Sequence, residues 1–512
     1  MSLASATTLA ETSAVELRRL IGTRELSPVE LLEACIDRIE RLNPLVNAIT
    51  ATCFERAREE ARAAEAAVMR GEPLGLLHGL PLGVKDLENT QGLLSTLGTP
   101  SLRNHVPSAD NELVARLRRA GAIVVGKTNV PEMGAGANSR NPVWGATGNP
   151  FNPNLNAGGS SGGSAAALAL DLLPLCTGSD TGGSLRIPAA KCGVVGFRPS
   201  PGMVPSVRKS LGWSPISVVG PMGRNVADTC LQLAATAGPH PGDPLSYPLD
   251  TMAFLRPAPA DLSRLRVAWT EDFGLCDVDP LVRRAMRQKI AAMRHLFAAC
   301  DEVPFDLGDA HRCFDILRAE AFVAGMRSTY EADPASLGPN PRANYEMGAG
   351  MSLLDTAWAQ TEQTRIVHRF QRVFADYDLV LSPTTPVSPF PWTQPCAATI
   401  DGRAQDNYYR WLALTYVVTL TTHPAISLPC GRDEKDMPFG LQVTGPFRGD
   451  LALLGAAQAM EQAFERHATL RRPRPDLTRL VPADPPLQAI VTAAPDDLHA
   501  HEPTDGLEAS VV

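Results

Sequence analysis

The sequence lacks any uncharged apolar stretch near the roughly 18 residues that a membrane helix needs. Its first twenty residues, MSLASATTLAETSAVELRRL, lack the basic start and apolar run of a secretory leader. No membrane span and no signal peptide are therefore expected. There is no basic excess either: 47 Lys and Arg against 55 Asp and Glu leave a net charge of −8, so no global field draws in nucleic acid or an anionic lipid surface. Ten cysteines scattered from Cys35 to Cys430 form no Cys-x-x-Cys pair and no Cys/His cluster at zinc spacing. Reduced, buried thiols in a soluble cytoplasmic protein are the expectation, with no metal and no nucleic-acid partner. No internal repeat is visible. No histidine falls between His105 and His240, which removes the commonest general base from the stretch richest in candidate chemistry.

That stretch is Asn156 to Pro199, NAGGSSGGSAAALALDLLPLCTGSDTGGSLRIPAAKCGVVGFRP. It holds two glycine-flanked serines 24 residues apart, Ser160 in Gly-Gly-Ser-Ser-Gly-Gly and Ser184 in Asp-Thr-Gly-Gly-Ser. Upstream, Lys85 ends the apolar run Gly79-Leu-Pro-Leu-Gly-Val-Lys85-Asp86.

With 44% hydrophobic residues in 512, a sizeable core is affordable. Ser27-Pro28 predicts a helix start, with Ser as cap and Pro at the first turn, and Asn43-Pro44 its end. A second helix is expected from Thr52 to Arg70, stopped by Gly71. From Leu76 short apolar runs alternate with helical segments, the texture of an α/β sheet. Strands are expected at Leu80–Lys85, Ala122–Val125, Leu265–Trp269, Leu379–Ser382, Ala425–Leu428 and Phe439–Val443. Helices are expected at Asn111–Ala120, Pro280–Cys300, Leu353–Tyr377 and Asp450–Arg466. The reading is one large mixed sheet flanked by helices on both faces. Residues 1–75 form a helical segment packed on it, 76–470 the α/β domain, and 471–512 a Pro-, Ala- and acid-rich tail, flexible or loosely docked for want of large apolar residues.

Glycines beside a serine let backbone amides converge on one point, which is what an oxyanion hole requires as charge develops on a carbonyl oxygen. A serine hydroxyl is a weak nucleophile until a base takes its proton. Lys85 qualifies only if burial among Leu80, Leu82 and Val84 lowers its pKa by roughly 3 units, about 4 kcal/mol.

These pieces together resemble the amidase signature family. The matching segments are Gly83-Val-Lys85-Asp86, Gly126-Lys-Thr-Asn-Val-Pro-Glu132, Gly148-Asn-Pro150, the Gly-Gly-Ser-Ser-Gly-Gly-Ser loop, Gly178-Ser-Asp-Thr-Gly-Gly-Ser-Leu-Arg-Ile-Pro188 and Cys192-Gly-Val-Val-Gly196, and the likeness spans about Ala14 to Arg466. The resemblance implies a Ser-cisSer-Lys triad. Ser184 is then the acylated nucleophile, Ser160 the bridging serine with a cis peptide, and Lys85 the base. It further implies an oxyanion hole from the amides of Thr181, Gly182, Gly183 and Ser184, Gly134 near the substrate carbonyl, and Asp180, Arg186 and Ser161 as supports. Arg198 and His423 depart from the family's commoner residues. The implied activity is hydrolysis of a carboxylic amide, with esters and carbamates as related carbonyls and no cofactor.

Several rival readings need the structure. Gly121-Ala-Ile-Val-Val-Gly-Lys127-Thr128 fits the phosphate-loop pattern by letter, but strand formers occupy its loop and Pro131 follows. Gly159-Ser-Ser161-Gly-Gly fits the nucleophile elbow and would need a distant partner such as His423. Within the family, the alternative is the A subunit of a glutamine-using, tRNA-dependent amidotransferase; an inactive binding protein is a third reading. Substrate selection is expected in loops at Ala321–Met351 and Trp392–Tyr416, where Phe322, Tyr345, Trp392, Tyr408 and Trp411 line a pocket or fill core. A homodimer is the symmetry-based expectation.

Overall fold

The apolar runs between turn residues pair into one mixed sheet. In the computed structural model, which describes Leu9 and residues 11–207, 209–498 and 503–504, its eleven strands in chain order are β1 (Ile49–Thr52), β2 (Pro81–Lys85), β3 (Ile123–Thr128), β4 (Leu175–Asp180), β5 (Val195–Arg198), β6 (Val218–Gly223), β7 (Arg266–Trp269), β8 (Ala299–Glu302), β9 (Leu379–Pro383), β10 (Ala425–Arg432) and β11 (Pro438–Thr444). Across the sheet they run β1-β3-β2-β4-β6-β5-β10-β11-β9-β7-β8. β2 pairs in parallel with β3 and β4, the five junctions from β4 to β9 are antiparallel, and β9, β7 and β8 are parallel again. β2, β3, β6, β9 and β11 are buried along their whole length. Helices on both faces explain why these strands read as continuous apolar runs rather than alternating ones.

Local chemistry sets most boundaries. Ser27 Oγ accepts the N–H groups of Val29 and Glu30 at 3.0 and 3.5 Å, and Glu30 reaches back to the Ser27 N–H, a reciprocal cap with Pro28 in the first turn. That helix runs on to Val46, past its expected end at Asn43-Pro44. Proline lacks only one N–H there, and Asn47, in the left-handed region at φ 50°, closes the helix by donating to the Asn43 carbonyl at 2.7 Å.

Other expectations are corrected by long-range pairing. The helix expected to Cys300 stops at Met293, because residues 299–302 pair with β7 and become the edge strand β8. The N-terminal segment is not purely helical, since it supplies β1 to the opposite edge. The selectivity segment expected as loop is mainly two helices, Ala310–Ala332 and Pro339–Ala349. The tail is docked rather than loose over 471–498. Leu480, Ala483 and Leu487 are buried, the Ala146 N–H donates to the Leu487 carbonyl at 2.8 Å, and the Thr492 N–H to that of Pro142 at 2.9 Å. Too poor in apolar residues to build a core, this segment instead inserts single side chains into gaps of an existing one, Leu487 beside Trp392 and Ala146. Residues 499–502 and 505–512 of the expected tail lie outside the described residues.

All ten cysteines are unpaired, nine of them buried. Among the described residues no helix is long and apolar enough to cross a membrane.

Candidate active site

The parallel pair β2 and β4 sets Lys85 beside Ser179 and Asp180 at their common carboxyl edge, where open α/β sheets bind ligands. Lys85 is fully buried. Its Nζ lies 2.7 Å from Ser160 Oγ and 2.8 Å from Ser179 Oγ, and its backbone N–H donates to Thr177 Oγ1 at 2.8 Å. Burial lowers its pKa from 10.5 to about 7 against the opposing pull of Glu88 and Asp180, so much of the amine is neutral near pH 7.

Ser160 arrives from the glycine loop ahead of the helix Gly162–Ala169, and the Gly159–Ser160 peptide is cis. Ser139 supports that loop, accepting the Gly162 N–H at 3.0 Å. Ser184 follows β4 by one turn. The Ser161 N–H donates to the Ser184 carbonyl at 3.3 Å and ties the two serine loops together. Ser160, Ser184, Thr181 and Gly134 line one pocket, walled elsewhere by Leu87, Met133, Ala321 and Phe322. At Gly134, φ is +71°, and an added Cβ would sit 2.9 Å from Leu87 and 3.7 Å from Ser160 Oγ. Gly134 therefore lies close to Ser160.

Asp180 holds the Ser184 turn in shape. Its carboxylate accepts the N–H of Gly183 at 2.9 Å and of Leu185 at 3.2 Å, and pairs with Arg186 at 2.9 and 3.0 Å. Burial by itself would raise its pKa. The Arg186 and Arg198 guanidinium groups and the backbone donors outweigh that and hold it well below the usual carboxylate range. Arg186 also reaches the Thr415 carbonyl, Thr419 and Gln442, joining the turn to β11 and to the helix Ala413–Thr421. Arg198, noted in the sequence only as a departure, donates to the Asp180 carbonyl at 2.6 Å and to its carboxylate at 3.2 Å.

One expected oxyanion donor is corrected. The Gly183 N–H is already spent on Asp180, so it is not free for a developing anion. The N–H groups of Thr181, Gly182 and Ser184 take no acceptor among the described residues. Thr415 Oγ1 fixes this turn from outside, donating to the Gly182 carbonyl at 2.6 Å.

A family model described as Amidase matches residues 30–454. The chain belongs to the amidase signature family. It is 33% identical over 460 residues to an acylamidase of Rhodococcus erythropolis, covering 88% of this chain and 94% of that protein. It is 32% identical over 477 residues to the A subunit of the glutamyl-tRNA(Gln) amidotransferase of Acaryochloris marina (strain MBIC 11017), covering 88% and 98%. Among solved structures, a bacterial aryl acylamidase of the amidase signature enzymes matches with a TM-score of 0.83 at 28% identity, covering 88% of this chain and 96% of that one. For 6-aminohexanoate cyclic dimer hydrolase the values are 0.79 and 29%, covering 92% and 99%. As a family member the protein is a hydrolase of carbon–nitrogen bonds other than peptide bonds.

Against this amidase frame the rival motifs find structural uses. The phosphate-loop look-alike is the buried strand β3, and Lys127 within it bonds the Glu88 carbonyl and Thr90 Oγ1. Ser161 is buried, and its Oγ accepts the Ser179 N–H at 3.5 Å. His423, the partner an elbow needs, is instead packed among Phe370, Phe374 and Phe447 with its Nε2 2.8 Å from Gln371. Of the aromatic candidates, Phe322 lines the pocket, Tyr345 stacks on Tyr330, and Trp392 and Trp411 are core. Sequence reasoning missed Ser179, although it adjoins the motif residue Asp180, and missed Arg318, which carries no motif. Among the described residues no three His, Cys, Asp or Glu side chains cluster at metal-binding geometry.

Proposed function

We propose that this protein hydrolyses the C–N bond of a small carboxylic amide through an acyl-Ser184 intermediate. The observation that carries the reading is the 2.7 Å contact between buried Lys85 Nζ and the Oγ of Ser160, a serine that lines one pocket with Ser184. Neutral Lys85 takes the Ser160 proton as Ser160 takes that of Ser184, and Ser184 Oγ attacks the carbonyl carbon. The resulting oxyanion meets the N–H groups of Thr181, Gly182 and Ser184, fixed dipoles that need not reorganise. The proton returns along the same path to the leaving nitrogen, and water releases the acid by the same steps. Esters and carbamates offer the same carbonyl to the same nucleophile.

The relatives that are A subunits of glutamyl-tRNA(Gln) amidotransferases support a second reading, in which glutamine is the amide. Glutamine carries an α-ammonium group beside its carboxylate, and the lining of this pocket contains no carboxylate to meet it. That favours the simple amidase.

The test is intact-mass detection of fluorophosphonate labelling, with release of ammonia or arylamine from a panel of amides. Labelling of wild type and of Ser161→Ala, but not of Ser184→Ala, is expected. A Ser184→Ala protein that still labels would overturn the assignment, and glutamine as the fastest panel member would favour the second reading.

A further inference from the structure

The helix Ala310–Ala332 presents Arg318, Ala321 and Phe322, three and four residues apart and hence on one face, to the pocket at Ser184. Arg318 is buried, yet it forms no ion pair among the described residues. Glu320, two residues on, forms no ion pair with it among the described residues, and Asp315, one turn earlier, is taken by Arg410 at 2.7 Å and by the Tyr409 hydroxyl at 2.8 Å. Neutral groups hold the guanidinium instead: Nε donates to Asn344 Oδ1 at 3.0 Å and Nη2 to the Tyr408 hydroxyl at 2.8 Å. Asn344 is itself fixed on that hydroxyl at 2.6 Å and on the Asn340 carbonyl at 2.7 Å. The rings of Phe322 and Tyr409 lie 4.9 and 5.0 Å from the guanidinium carbon.

A guanidinium has five N–H donors, and two are used here. Among the described residues Nη1 takes no partner, and it is not sealed away from solvent. A cation withdrawn from water and left without a counter-charge is costly, and its planar fork matches a carboxylate through two parallel hydrogen bonds. Resting on the amidase reading above, we propose that the substrate is an amide that also carries a carboxylate, which Arg318 binds while the amide carbonyl lies at Ser184. Both residues line the same small pocket, so the carboxylate stands only a few bonds from the scissile carbonyl, and Leu87, Met133 and Ala321 accept the short apolar spacer between them. Half-amides of short dicarboxylic acids have this form.

The test compares succinamic acid with butyramide, which are matched in length and differ by the carboxylate, in wild type, Arg318→Leu and Arg318→Lys. Wild type is expected to favour succinamic acid by tenfold or more in kcat/KM. The ratio falls tenfold or more in Arg318→Leu, chiefly through KM for the anion, and is partly restored in Arg318→Lys. A wild-type preference for butyramide, or a ratio unmoved in Arg318→Leu, overturns the proposal while leaving the amidase reading standing. Should the variants fail to fold, the wild-type ratio decides, together with protection of Ser184 from fluorophosphonate: succinamic acid must slow labelling at lower concentration than butyramide. Should wild type turn over neither amide, this protection alone decides. Absence of both labelling and turnover of any amide sinks the amidase reading, and this inference with it.

Discussion

Lys85 Nζ stands 2.7 Å from Ser160 Oγ at the buried end of a strand, and the burial that strips water from the amine also pushes it toward its neutral form. Two consequences follow from that one arrangement. With the pKa at about 7, kcat/KM is expected to rise through neutral pH and level off above it, as the basic form accumulates. Lys85→Ala should lose about 10³-fold or more and shed that limb. A pH–rate profile of Lys85→Ala matching wild type would remove the lysine from the mechanism.

The same shift makes Lys85 a burden on stability. Its folded pKa lies below the ordinary 10.5, so between about pH 7 and 10.5 the unfolded chain binds more protons and stability rises with pH. Lys85→Met should therefore be more stable than wild type at pH 6, by on the order of a few kcal/mol, with the gain shrinking toward pH 10. Urea unfolding at both pH values checks this, and a gain independent of pH would contradict it.

Asp180→Asn should be severe. It leaves the Arg186 and Arg198 guanidinium groups buried without their shared counter-charge, a loss of about 3–5 kcal/mol. In wild type the carboxylate is held far below its usual range, so its contribution persists as pH falls through 4 and is lost only in stronger acid. A urea midpoint for Asp180→Asn within error of wild type would show that the pairing does not hold the Ser184 turn.

Gly183→Ala tests the turn sterically. Gly183 has φ +119°, and an added Cβ would lie 2.2 Å from Thr415 Oγ1, which is itself anchored on the Gly182 and Leu412 carbonyls. The turn must shift, and kcat should fall by about 10²-fold or more as the Thr181 and Gly182 amides lose their aim. Normal fluorophosphonate labelling rates in this variant would count against these amides as oxyanion donors.

Deleting residues 471–512 should destabilise the protein. Leu480 and Leu487 are buried, and removing each exposes apolar surface worth about 1.5–3 kcal/mol. An unchanged melting temperature in the truncated protein would return this segment to the loose tail that its composition suggests.

Local pattern in the sequence set six of the sheet's eleven strands, the helix cap at Ser27 and the glycine turns, because each is written in neighbouring residues: a cap, a run of β-formers, a glycine beside a serine. Lys85, Ser160 and Ser184 were singled out by those settings and given their roles by the resemblance to the amidase signature family. Where partners come from afar, local pattern was silent or wrong. Residues 299 and 300 look like the end of a helix until β7 offers them a ladder, and the poor apolar content of 471–498 says nothing of the gap beside Trp392 that Leu487 fills. Gly183 looks like an oxyanion donor until the carboxylate of Asp180 is seen taking its N–H. Arg318 is one arginine among many in the chain. It is the folded chain that buries it in the pocket of Ser184 among Asn344, Tyr408 and aromatic rings, with no carboxylate paired to it among the described residues, because burial and the lack of a counter-charge belong to three-dimensional surroundings that no stretch of sequence contains.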